Sequence, residues 1–315
     1  MDKRKINKPL ISICIPVLNE EENIEPLLAR IKNLEKQLRK VCNFEIIFTD
    51  NASNDNTWET IKKLKTDYPE IRAFKFNKNI GFQNSILFNY LNAKGDAIVQ
   101  LDADLQDPPE LIAEFIDHWR AGYKIVTGVR IKREENRFIS FFRKSGYWII
   151  DLVSEYPIKR NAGDFRLLDR QVVNAFSELN VAEPYLRGII SSLNLPEKDI
   201  PYKRKSRSKG ESKFGMRELV KLGMTGITNH SNIPLRIANY VGGFSLIASF
   251  VGLIYYITIK FTQPNLPRGL ASLYVLILFG IGVNSILLGI IGSYIKKIYF
   301  AVSGTKKYII SDSIS

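Results

Sequence analysis

Two hydrophobic patterns divide this chain. Up to about Asn232, short β-branched apolar runs alternate with stretches that mix apolar and charged residues. That alternation predicts strands and amphipathic helices in turn. Leu10–Val17 reads as a buried strand, and Asn19 is placed to cap a helix to about Arg39 whose first turn carries Glu20, Glu21 and Glu22. Phe44–Thr49 predicts a second strand ending at Asp50, then a turn rich in Asn, Asp and Ser and a helix over Trp58–Thr66. Ile71–Phe76 predicts a third strand, followed by Asn79-Ile80-Gly81 and a helix to about Ala93. Ala97–Leu101 predicts a fourth; Pro108 and Pro109 then open a helix to about Ala121, and Lys124–Val129 predicts a fifth strand. Strands alternating with helices predict an α/β fold with a doubly wound, mostly parallel sheet.

Past Asn232 the pattern changes. Ile237–Ile259 and Gly269–Ile295 contain no charged residue. Each exceeds the roughly 20 residues that cross a hydrocarbon core, and their glycines are ordinary in membrane helices. The connection Lys260–Arg268, with Pro264 and Pro267, is short and predicts a two-helix transmembrane hairpin with both ends on one side. Basic residues precede the first span and follow the second at Lys296, Lys297, Lys306 and Lys307, whereas the loop holds only Lys260 and Arg268. The positive-inside bias places the N-terminal domain and the C-terminal tail in the cytoplasm, with the hairpin in the inner or plasma membrane. The expected divisions are 1–205 for the catalytic domain, 206–232 for a basic juxtamembrane segment, 233–298 for the two spans and 299–315 for a cytosolic tail.

Composition narrows the picture. No signal peptide is evident, since Leu10–Leu18 is short and runs into polar residues. Cys14 and Cys42 give no disulfide framework, and His118 and His230 are too few for a histidine-rich zinc site. The net charge of +13 could suggest nucleic acid. Its distribution does not: Lys203, Arg204, Lys205, Arg207, Lys209, Lys213, Arg217 and Lys221 crowd the segment before the first span, which suits anionic lipid or phosphate. Phe138–Val153, aromatic and basic, reads as a helix at the bilayer surface, with a core helix as the alternative; Lys213 to about Asn229 is a second interfacial candidate.

Chemistry concentrates where the fourth strand ends, in Asp102, Asp104 and Asp107. Carboxylates held together at a strand mouth are costly unless something positive sits among them. In extended backbone Asp102 and Asp104 project from one face. Hard oxygen ligands suit Mg²⁺ or Mn²⁺ carrying a phosphorylated ligand. A bare Asp-x-Asp is also compatible with a solvated turn, but Asp50 and Asn79 fall at the same carboxyl edge, where doubly wound sheets bind ligands. There is no Gly-x-Gly-x-x-Gly and no P-loop.

Five motifs occur in order: Pro16–Ile24, Thr49–Thr57, Leu101–Pro109, Gly163-Asp164-Phe165-Arg166-Leu167 and Arg207–Phe214. Together they resemble the family-2 glycosyltransferases of the polyprenyl-phosphate type, which include dolichyl-phosphate mannose synthases and bacterial undecaprenyl-phosphate glucosyltransferases of the GtrB kind. The resemblance covers nearly the whole chain. It implies a GT-A fold with a nucleotide sugar across the carboxyl edge. It places Pro16, Leu18 and Glu20 at the nucleoside, Asp50 on the base or ribose, Asp102 and Ala103 on the nucleotide, Asp104 on the metal and Gln106 beside the phosphates or sugar. Where the family often has Asp-Asp-Gly-Ser, this chain has Asp50-Asn51-Ala52-Ser53.

The reaction implied is inverting transfer of a sugar, glucose from UDP-glucose being expected, to a membrane polyprenyl phosphate. A phosphate acceptor is already ionised, so positioning and electrostatics carry the rate. Arg130, Arg143, Arg207 and Lys213 are the candidates for holding it, with Arg207 suited to a bidentate fork. Asp164 is assigned to orienting sugar or acceptor; an internal ion pair with Arg166 is the structural alternative. GDP-mannose, UDP-GlcNAc or a UDP-aminopentose remain alternative donors, and a catalytically silent scaffold is a rival from another class. Processive synthases carry a Gln-x-x-Arg-Trp motif that is missing here. Small-residue faces in the spans permit a homo-oligomer, such as the tetramer.

Overall fold

A computed structural model describes residues 8–131, 162–177, 186–204, 233–262, 269–302 and 309–314. The chain divides into two compact units, one holding the sheet and the other the two long helices.

The first unit is built on an eight-stranded sheet: β1 (Leu10–Val17), β2 (Asn43–Asp50), β3 (Ile71–Phe76), β4 (Ala97–Gln100), β5 (Ile125–Arg130), β6 (Ala162–Asp169), β7 (Glu197–Tyr202) and β8 (Ile310–Ile314). The order is β7-β5-β6-β4-β1-β2-β3-β8. β1 pairs in parallel with both β2 and β4, and β2 with β3. The central strand explains why. Ile11, Ile13, Ile15 and Val17 enter one apolar cluster, while Cys14 enters the other with Ile47 and Ile98. A strand buried on both faces needs helices on both. The cluster with Ile13 takes α1 (Glu21–Leu38), α2 (Thr57–Asp67) and α4 (Ile112–Arg120). The opposite cluster takes α3 (Phe82–Asn92), α5 (Arg170–Asn174) and α6 (Leu186–Ser192). In α1 the buried residues Ile24, Leu27, Leu28, Ile31 and Leu34 form one stripe at helical spacing.

All five predicted strands are present, with ends shifted by a residue or so. Three strands were not anticipated. β6 inserts antiparallel between β4 and β5, so the predicted fifth strand is not beside the fourth. β7 extends one edge in parallel with β5. β8, from the C-terminal tail, closes the other edge antiparallel to β3. Trp58 Nε1 donates to Asp312 of β8 at 3.0 Å, and Lys62 lies 3.1 Å from the same carboxylate.

Asn19 does not cap α1. Its φ is +54°, and its side-chain oxygen instead accepts from the backbone N–H of Asn54 at 2.8 Å. The capping position is Glu20.

The second unit contains α7 (Ile233–Thr262, 30 residues) and α8 (Leu270–Val302, 33 residues). Their side chains are described only in part, and over the described residues no helix is long and apolar enough to cross a membrane. Large apolar side chains nevertheless stand open on both, Tyr240 at 76 % exposed and Leu288 at 67 %. The candidate interfacial helices, Phe138–Val153 and Lys213 to Asn229, lie outside the described residues.

Candidate active site at the carboxyl edge

The strand order creates the site. From β1 the chain steps to β2 and β3 on one side, then returns to place β4 on the other. The loops leaving β1 and β4 therefore diverge, and such a switch point opens a crevice at the carboxyl ends of the strands. Leu18–Glu20 and Leu101–Asp107 are those two loops. Three of the four non-glycine residues with positive φ among the described residues lie in this edge: Asn19 at +54°, Ala52 at +63° and Leu105 at +59°. Backbone held in the left-handed region concentrates where geometry serves a ligand.

The β1 and β2 loops are laced together. The N–H of Asn19 donates to Ser53 Oγ and that of Glu20 to Thr57 Oγ1, both at 2.9 Å. Asp50 is fully buried beneath them. Its Oδ1 accepts from the N–H of Ser53 at 2.9 Å and from its hydroxyl at 2.5 Å. Its Oδ2 is buried without a hydrogen bond, with Lys75 Nζ 3.9 Å away. Asn51 joins the β3 loop by accepting from the N–H of Ile80 at 3.0 Å. Asn79 is exposed and accepts from the N–H of Gly81, so it shapes its own turn. Pro16 is buried on β1, whereas Leu18 and Glu20 keep partial exposure.

β4 ends at Gln100, so Asp102 and Asp104 meet through a turn and not along a strand. They still converge. The Arg204 guanidinium lies 3.8 Å from Asp102 Oδ2, 3.5 Å from Asp104 Oδ2 and 3.1 Å from Asp107 Oδ1. Asp107 is fully buried, accepts from the Tyr202 hydroxyl and has Arg130 3.8 Å away. Burial, reinforced by the charges of Asp107, Asp164 and Asp104 and partly offset by Arg204, pushes the Asp102 carboxyl up to about 7. Ala103 is buried in the core and can meet a ligand only through its main chain. The N–H of Gln106 donates to Asp104 at 3.1 Å, pinning the loop.

β6 brings Asp164 to the same edge. Burial raises its pKa, but the Arg187 fork at 2.8 and 2.7 Å, with Arg166 and Arg130 behind it, outweighs burial and holds it below the ordinary value. The ion-pair partner is thus Arg187, not Arg166, which donates to the carbonyl of Gly163 at 2.7 Å. A carboxylate so paired is a poor proton acceptor and a good orienting group. Arg130 sits over Gly163, where a methyl group would come within 2.8 Å of its Nη2. Arg143, Arg207 and Lys213 lie outside the described residues.

Sequence reasoning did not assign Arg204, Tyr202, Arg187 or the burial of Asp107. Arg204 was hidden among basic neighbours. The clue was β7, whose Ile200 and Tyr202 alternate inward and deliver Arg204 two residues later to the carboxylates.

Among the described residues no three acidic, histidine or cysteine side chains form a ready-made metal cage. The donor set nonetheless fits Mg²⁺ or Mn²⁺, which use one or two carboxylates and complete their shell with phosphate and water. Asp102 Oδ1 and Asp107 Oδ2 are buried with no hydrogen-bond partner, leaving oxygen lone pairs at the cluster.

Residues 12–176 match the model of glycosyl transferase family 2. The SfII prophage-derived bactoprenol glucosyl transferase of Shigella flexneri is 35 % identical over 96 % of this chain and 98 % of its own length. An uncharacterized glycosyltransferase of Bacillus subtilis, YkcC, is 34 % identical over 96 % of this chain and 93 % of its own. A mannosyltransferase from Pyrobaculum calidifontis solved with GDP-Man and Mn²⁺ overlaps at a TM-score of 0.47 and 12 % identity, covering 95 % of this chain and 88 % of its own, too loosely to argue from. With a mixed α/β sheet of GT-A type, an acidic cluster at its switch point and sequence relatives spanning nearly its full length, the chain belongs to glycosyl transferase family 2.

Proposed function

We propose that the protein transfers glucose from UDP-glucose to a membrane polyprenyl phosphate, with inversion at the anomeric carbon. The observation that carries this reading is the arrangement at the switch point: Asp102, Asp104 and Asp107 on the donor side, with Arg204 and Arg130 immediately beside them. Bactoprenol glucosyl transferases as relatives over almost the entire chain support both the glucose and the lipid phosphate.

Asp50 supports the donor side indirectly: fully buried, with Oδ1 held by the N–H and hydroxyl of Ser53, it fixes the Asn51–Ser53 turn at the carboxyl edge.

In the proposed reaction an oxygen of the lipid phosphate attacks the anomeric carbon, the bond to the diphosphate breaks, and UDP leaves with the electron pair. The acceptor is ionised near neutral pH, so no strong base is required, and Asp164 orients sugar or acceptor while Arg187 keeps it charged. Arg130 holds the acceptor phosphate with Arg143, Arg207 and Lys213. A divalent cation held by Asp104 and Asp102, when bound, supplies charge neutralisation to the leaving diphosphate.

The membrane location is proposed with it. The uncharged stretches within α7 and α8, and their open apolar side chains, support two spans. The basic residues that precede the first helix and follow the second support a cytoplasmic location for the chain on both sides of the hairpin.

Mass spectrometry of the lipid formed from undecaprenyl phosphate and a panel of nucleotide sugars tests the reading. A hexosyl-phosphate lipid from UDP-glucose is expected. Product from GDP-mannose alone would overturn the donor, and no lipid product from any donor would overturn the acceptor.

A further inference from the structure

Arg204 occupies an unusual position. Its guanidinium faces all three carboxylates of the Asp102–Asp107 loop, yet only the contact from Nε to Asp107, at 3.1 Å, is a hydrogen bond. The approaches to Asp102 and Asp104, 3.8 and 3.5 Å, are Coulombic contacts that leave carboxylate lone pairs unused. The three acids also differ in support. Asp107 has Arg130 and the Tyr202 hydroxyl besides Arg204. For Asp102 and Asp104, Arg204 is the cation that both reach among the described residues.

We propose that Arg204 is the resident counter-cation of this cluster: it offsets the charge of Asp102 and Asp104 until a divalent cation arrives with the donor diphosphate, then yields both carboxylates to that cation while Asp107 keeps it at the site. The proposal rests on the cation-assisted transfer described above. A guanidinium cannot discharge by losing a proton, so it can relieve the repulsion of an incoming cation only by moving. Asp107 is the natural tether, because it is buried and already fixed by two other groups. The diphosphate gives the displaced guanidinium a new anion to meet, and guanidinium forks suit phosphate oxygens. Two consequences follow for this chain. Bare metal meets a competitor and binds weakly. Metal accompanied by nucleoside diphosphate does not, so the donor delivers its own cation. Part of the acidic loop's charge is also offset between turnovers, which helps carboxylates that repel one another to stay assembled.

The test is Mn²⁺ binding to the full-length protein, read from the electron paramagnetic resonance signal of free Mn²⁺ with and without UDP. In the wild type, UDP should tighten Mn²⁺ binding at least about a hundred-fold, which needs no variant; equal affinity with and without UDP overturns the proposal. Arg204→Gln should tighten binding of bare Mn²⁺ about ten-fold and shrink the effect of UDP, because a like charge within 4 Å has been removed. Arg204→Lys, which keeps a charge, should bind bare Mn²⁺ as weakly as the wild type. Wild-type binding with Arg204→Gln no tighter would overturn the counter-cation role and leave the metal site standing. Failure of every form to bind Mn²⁺ even with UDP would overturn the metal site, and the proposal with it.

Discussion

At the scale of single residues, charge and backbone geometry set the site. Asp102 carries a pKa of about 7 against an ordinary 3.8. Being raised in the folded state, it contributes stability that is complete below about pH 4 and lost as pH rises through about 7. Cation binding needs the ionised form and runs the other way. Affinity for Mn²⁺ with UDP should therefore rise about ten-fold between pH 6 and pH 8, and Asp102→Asn should flatten that profile. A profile already flat in the wild type would contradict the shift. Ala52 is the second such residue. It holds φ at +63° where the family often has glycine, so Cβ is strained against its own backbone. Ala52→Gly should stabilise the protein by about 1 kcal/mol in a denaturant titration. Destabilisation would mean the loop has relaxed around the alanine.

Among secondary-structure elements, β6 and β8 carry what lies beyond the parallel core. β6 presents Gly163 to Arg130. Gly163→Ala should displace that guanidinium and lower turnover at least ten-fold while leaving UDP affinity within about two-fold, since Arg130 is assigned to the acceptor; loss of UDP affinity instead would move Arg130 to the donor side. β8 covers the edge of β3, which would otherwise offer unpaired backbone to other chains. Truncation after residue 308 should lower the melting temperature by roughly 5 °C or more and promote aggregation.

These elements also show what a sequence discloses. β1, β2 and β4 were legible because their apolar runs are buried on both faces, as Ile11, Ile13 and Ile15 against Cys14 illustrate, and β3 and β5 because short apolar runs sit between turn signals. β6 was not, because Asp164 and Arg166 interrupt it, and their burial becomes affordable only through Arg187 and the Gly163 carbonyl. β7 and β8 are edge strands: the inward alternation of β7 is confined to Ile200 and Tyr202, and β8 is open along most of its length, so neither carries an apolar run long enough to mark a strand. The acidic half of the site was readable as a cluster. Its basic counterpart at Arg204 depends on where β7 ends, a tertiary fact.

For the whole molecule, the chain leaves the α/β unit after β7 and returns to it as β8, with the two long helices between. That connectivity ties the proposed membrane hairpin to the catalytic unit at both ends. It suits an enzyme whose donor is soluble and whose acceptor is confined to lipid. In the proposed reaction the carboxylates at the sheet's switch point drive transfer to a lipid phosphate. The most direct test is the yield of glucosyl-phosphate lipid from UDP-glucose and undecaprenyl phosphate, comparing wild type with a folded Asp104→Ala variant. A loss of at least about a hundred-fold is expected. Wild-type turnover in the variant would contradict it.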